Sequence, residues 1–285
     1  MNVSKELNKK YEEDLSKELE KKCEILNETK ILLEQKSDSD LDSSDDSSSD
    51  SSTETEIDSD KEYSYVVNLV NINKLDIDLK KLKKMVNEYM IPRIDYYKST
   101  KTKNLEIESG FSEWWIEKTS NGRRIGEGNC SFDVLTNQNN AIDVMCLCIN
   151  GNQSNEKSII QNFKNSGNNL DNYFKYKKYN NAIKIFLDDY KNKIIKFKSD
   201  RKCNNLFYLS FISTAEHVYL SCFKININNI DNVISKGATK KEKSINIQNF
   251  INDKYGCVKL YKSKKRIELR FFKKILNNVD TIIIY

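Results

Sequence analysis

SFDVLTNQNNAIDVMCLCI, residues 131 to 149, decides how this chain is read. Two apolar runs, FDVL and AIDVMCLCI, flank a polar NQNN, which is the pattern of an antiparallel hairpin. Each run carries an aspartate, Asp133 and Asp143, where strands ordinarily place apolar or β-branched residues. One Asp can sit on a solvated face, since strand side chains alternate between faces. Two such exceptions in one hairpin point to a functional pair. A turn at NQNN can bring them together across the ladder, with the register left open. Paired carboxylates bind hard divalent cations such as Mg²⁺ or Mn²⁺, leaving positions for water and phosphate. A cation held there would polarise a phosphate and activate water for in-line attack.

Strand-like and helix-like segments alternate on both sides of the hairpin. EYSYVVNLVNI (62–72) reads as a strand, and DLKKLKKMVNEYM (78–90) as a helix stopped by Pro92, the only proline. SGFSEWWIEKTS (109–120) reads as a helix capped by Ser109 or Ser112. It bears Glu113 together with Trp114 and Trp115, both expected as core or interface aromatics. NEKSIIQNFKNS, beyond the hairpin, reads as a helix, and 180–197 as a longer one. NLFYLSFIS with HVYLSCFKI, and then GCVKLYKSKKRIELRFF, read as two further hairpins, and TIIIY as a last strand. Interspersed strands and helices predict an α/β or α+β domain with a central mixed sheet flanked by helices.

The net charge of +5 conceals three regions. Residues 1–36 carry −1 on a charged, helix-like stretch with Leu7, Tyr11, Leu15, Leu19, Cys23 and Leu26 at helical spacing. Residues 37–60 hold ten acidic side chains and no basic one, and so little apolar surface that a disordered linker is expected. Residues 61–285 are left with +16, a basic domain. Such a balance suits a polyanion partner, although lysines outnumbering arginines 41 to 6 also fits simple residue usage. Arg123 and Arg124, adjacent and just ahead of the hairpin, are expected to meet a nucleic-acid backbone. KSKKR at the tip of the third hairpin adds Lys262, Lys264, Lys265 and Arg266, which fit a DNA groove or simply keep an edge soluble.

Other chemistries find little support. Seven cysteines include no CxxC pair, and with the single His217 they offer no structural zinc spacing. His217 reads as structural rather than as a general base. No signal-type segment opens the chain and no apolar run nears ~20 residues, so an intracellular protein with reduced thiols, away from membranes, is expected. The glycines of RRIGEGN lack the GKS/T of a P-loop and the third glycine of a dinucleotide fingerprint.

A helix glutamate, then Asp133, then Asp143 two places before Met145, resembles the PD-(D/E)XK nuclease superfamily, to which many type II restriction endonucleases belong. The resemblance covers residues 109 to about 165. It implies a restriction-endonuclease-like core that hydrolyses double-stranded DNA with Mg²⁺ or Mn²⁺. Glu113, Asp133 and Asp143 would be both metal ligands and catalytic groups. Cutting both strands of a symmetric site would call for a homodimer. Asp133 follows Phe rather than Pro, and Met145 stands where the family carries its lysine; a thioether can neither carry charge nor move a proton. Three accounts stay open: a tolerated replacement, a lysine supplied by Lys157 from the segment where the family often adds Lys or Gln (here also Gln161), or a decayed site on a DNA-binding fold. A protein-interaction or structural role with no nucleic acid is the further alternative.

Overall fold

β3 (Val134–Leu135) and β4 (Ala141–Asn150) form the expected hairpin in the computed structural model. That model describes residues 65–100, 105–125, 132–161, 170–239 and 241–285. The helix-like stretch 1–36, the acidic tract 37–60 and the start of the strand expected from residue 62 lie outside the described residues. The register pairs Val134 with Ile142 and Leu135 with Ala141. Asn139 closes the turn at φ 59°, a left-handed conformation that Asn tolerates, with its N–H on the Thr136 carbonyl at 3.0 Å. β2 (Arg123–Arg124) pairs with the outer edge of β3.

The other edge of β4 takes β7 (Leu206–Ser213) in parallel, from Ala141↔Leu206 to Cys148↔Ser213. Parallel neighbours need a crossover. It consists of β5 (Gln153–Ser154), β6 (Lys157–Gln161), α3 (Leu170–Lys175) and α4 (Tyr179–Arg201). Every residue of β7 is buried, as expected of a parallel strand covered on both faces. β8 (Val218–Ile225) continues the sheet antiparallel to β7, followed by β1 (Val67–Val70), and β13 (Thr281–Ile283) also pairs with β8. The order is β1-β8-β7-β4-β3-β2, with β5 on the free edge of β4. A second sheet runs β6-β12-β11-β10-β9, where β9 is Ile234–Ala238, β10 Ser244–Gln248, β11 Gly256–Tyr261 and β12 Arg266–Phe271.

Alternation along β4 divides its side chains between two cores. Ile142 and Val144 pack with Leu82 and Val86 of α1 (Leu79–Thr100) and with Trp115 and Ile116 of α2 (Ser109–Thr119). Ala141, Met145 and Leu147 pack on the opposite face with Ile183, Phe186 and Leu187 of α4 and with Ile267, Leu269 and Phe271 of β12. Phe223 of β8 stacks on Phe271, with centroids 4.8 Å apart, joining the sheets through their side chains. Fully burying each such side chain contributes roughly 1.5–3 kcal/mol. α4 presents Ile183, Phe186, Leu187, Tyr190 and Ile194 at helical spacing, and ends at Lys202, left-handed at φ 53°.

Three local expectations are corrected. α1 runs through Pro92 to Thr100: the ring removes only the N–H that would have met the Glu88 carbonyl, and the Arg93 guanidinium donates to the next carbonyl, Tyr89, at 2.8 Å. Neither Ser109 nor Ser112 caps α2; the cap position is Glu108, and the Ser112 hydroxyl turns back to the Ser109 carbonyl. The described part of NEKSIIQNF is a strand rather than a helix. β6 takes its backbone partners from β12, through Lys157↔Leu269 and Ile160↔Ile267. Trp115 is core, as expected, whereas Trp114 is 41% exposed.

Candidate functional site

Extending the hairpin register by one residue places Asp133 opposite Asp143 on the α4 side of the sheet. The Asp133 N–H bonds the Ile142 carbonyl at 2.9 Å, and its Oδ2 accepts the Val144 N–H at 2.8 Å, fixing that carboxylate against β4. The two carboxyls thus face each other across the hairpin. Burial and the Asp133 charge push the Asp143 carboxyl well above the usual carboxylate range, while the Lys157 ammonium pulls it back.

Lys157 reaches this place because β5 occupies the edge of β4 beyond the stretch paired with β3. Ile149 pairs with Ser154 and Asn150 with Gln153, and Asn155 then clamps Cys148 through both backbone groups, at 3.0 and 2.9 Å. Lys157 follows two residues later. It lies opposite the fully buried Leu269, so it belongs to the inner face of the second sheet. Its charge also bears on Glu113.

Glu113 projects from α2. Burial and then the Asp133 charge raise its carboxyl, with Arg124 and Lys157 opposing. The Arg124 guanidinium is 3.5 Å from Glu113 and also donates to the Gly110 carbonyl, tying β2 to the start of α2. Glu113, Asp133, Asp143 and Lys157 therefore form one electrostatic cluster. Among the described residues, however, no three His, Cys, Asp or Glu side chains stand close enough to cage a metal ion. The opposed pair Asp133–Asp143 still suits a cation of the Mg²⁺ type, which takes one or two carboxylates and keeps water and substrate phosphate as its other ligands.

Two tyrosines escaped the sequence reading. Tyr208 is the parallel-register partner of Asp143, and its hydroxyl lies 2.5 Å from that of Tyr190 on α4. Burial raises both phenols, and the Asp143 charge adds to the effect. A tyrosine inside LFYLSFIS carries no local signal of this kind, since only the pairing of β7 with β4 brings it there.

Met145 is 0% exposed, packed in the core beside Ser210 of β7, whose buried hydroxyl has no partner among the described residues. The basic candidates divide. Arg123 is exposed on β2 and enters no ion pair among the described residues, and the same holds for Lys265 at the β11–β12 tip. Lys262 pairs with Asp171 at 3.1 Å, Lys264 with Glu156 at 2.9 Å and Glu268 at 3.1 Å, and Arg266 with Glu268 at 2.5 Å. His217 is exposed in the β7–β8 turn, edge-on to Tyr219. The described cysteines are free thiols. No described helix is long and apolar enough to cross a membrane. No family model, curated protein or solved structure matches this chain.

Proposed function

We propose that the chain is a metal-dependent endonuclease of double-stranded DNA, built in the manner of the PD-(D/E)XK superfamily with its lysine moved to Lys157. The observation that carries this reading is the Asp133–Asp143 pair, facing each other across the hairpin, with the charge of Lys157, from a different strand, bearing on Asp143. Two carboxylates facing each other repel, and both gain by holding a cation between them. Bound there, Mg²⁺ would polarise the scissile phosphate and supply hydroxide. Asp133 and Asp143 would hold the ion, and Glu113, held back by Arg124, would orient a water of its shell. Lys157 supplies the positive charge that Met145 cannot, offsetting the charge that grows on the phosphate. Exposed Arg123 and Lys265 would meet the DNA backbone. A homodimer would cut both strands.

The test is to incubate the full chain with mixed-sequence duplex DNA in Mg²⁺, Mn²⁺ or EDTA, beside Asp143→Asn and Lys157→Met. Metal-dependent cutting by the wild type that falls by roughly 10²-fold or more in both variants is expected. Folded protein that cuts under no condition refutes the enzyme.

Met145 in the core favours one second reading, a DNA-binding protein that has lost its chemistry. That reading predicts affinity falling steeply with salt, indifferent to EDTA and without cleavage. Absence of any salt-dependent binding would leave an interaction or structural protein.

A further inference from the structure

We propose that Glu156 is a positioning residue: it pins the strand seam between the two sheets and thereby keeps Lys157 on the inner face of the second sheet, directed toward the Asp133–Asp143 pair. The role given to Lys157 rests on the proposed nuclease reading.

Residues 152–161 belong to both sheets. On one side Gln153 and Ser154 pair with β4. On the other, Gln153 bridges to Phe272, the Phe271 N–H bonds the Ser154 hydroxyl at 3.0 Å, and the Lys273 N–H bonds the Asn152 carbonyl at 2.9 Å. β6 then pairs with β12, but the register shifts between Ile267 and Glu268, beside Lys157. Such a bulge loosens the ladder and decides where the neighbouring side chain points. Lys157 has a flexible four-carbon stem and cannot hold its own aim.

Glu156 supplies what the ladder lacks. It meets the outer face of the second sheet, whereas Lys157 lies on the inner one. Its Oε1 accepts the Tyr261 hydroxyl and both Nε (3.1 Å) and NH2 of Arg270, and its Oε2 accepts Lys264 at 2.9 Å. Behind it Glu268, with its side chain 1% exposed, receives Lys264 and Arg266. Arg270 reaches on to Gln153 at 3.4 Å, closing the network on the seam itself. Burial opposes a charge on Glu156, yet hydrogen bonds from Tyr261, Lys264 and Arg270 hold its carboxyl below the usual range. Surface ion pairs are ordinarily worth little. This one is a four-donor anchor, three of whose donors come from the side chains of β11 and β12, immediately beside Lys157.

The experiment is acetylation of the folded full-length chain, read lysine by lysine by mass spectrometry, alongside steady-state cleavage. Glu156→Ala and Asp143→Asn are each expected to raise Lys157 labelling several-fold, with Lys81 and Lys191 unchanged. Glu156→Gln, which keeps an acceptor and the fold, should raise it less. Cleavage by Glu156→Ala should fall roughly tenfold or more in kcat, with KM within about twofold. Combined with Lys157→Met, the loss should not exceed that of Lys157→Met alone. Unchanged Lys157 labelling in folded Glu156→Ala, or losses that simply add, would overturn the proposal. If the wild type cuts no DNA, the nuclease reading falls by itself, and the labelling still decides whether Glu156 holds Lys157 at the carboxylates.

Discussion

Asp143, whose carboxyl burial and the Asp133 charge raise, makes stability depend on pH in a defined direction. Its carboxyl is raised in the folded chain, so the folded state holds the proton more tightly than the unfolded one. Nothing is lost at pH below about 3.9, the unfolded value. As pH rises from there through the folded pKa, stability falls, and above it the full cost remains. Asp143→Asn should therefore raise the Tm near neutral pH in EDTA and flatten its pH dependence, each ~1 kcal/mol appearing as about 2–4 °C. Added Mn²⁺ should raise the Tm of the wild type and leave the variant unmoved. Met145 gives a complementary expectation. Met145→Leu should cost under about 1.5 kcal/mol in urea unfolding. Met145→Lys, which buries an ammonium, should cost roughly 3 kcal/mol or more. Asp133 and Asp143 were legible in the sequence because each breaks a strand pattern. Tyr190 and Tyr208 were not, because a tyrosine breaks none.

The elements show where local pattern suffices and where it fails. The three hairpins and α4 follow from period and turn residues within a few positions of each other. β6 does not: EKSIIQ is too short an apolar run to separate helix from strand, and its partner β12 lies about a hundred residues further on. The parallel pairing of β4 with β7 also joins strands far apart in sequence. Pro92 misled for a different reason: a proline removes a single N–H, and the helix continues through it to Thr100 at the loss of that one bond. Pro92→Ala should restore one backbone hydrogen bond and stabilise α1 by up to about 3 kcal/mol, seen as slower amide exchange over residues 88–96. Gly122, just before β2, marks a close approach, because a Cβ there would meet the Leu135 carbonyl oxygen at 2.5 Å. Gly122→Ala should cost about 1–3 kcal/mol by chemical denaturation.

Across the whole molecule, the +16 of residues 61–285 overstates what a polyanion would meet. Lys262, Lys264, Arg266 and Arg270 already face carboxylates, whereas among the described residues Arg123 and Lys265 enter no ion pair. Arg123→Gln and Lys265→Gln should each reduce the slope of log affinity against log salt by about 0.9 if each meets one phosphate. Lys264→Gln should first lower the Tm, since it strips a partner from Glu156 and Glu268. Composition could announce the charge but not its pairing, which depends on strand neighbours far apart in sequence. The seam at residues 152–161 has one more consequence. Because one stretch of backbone serves the ladders of both sheets, neither sheet can melt and leave the other intact. Heat or denaturant should take the two apart in a single cooperative step, with fluorescence and circular dichroism tracing the same curve.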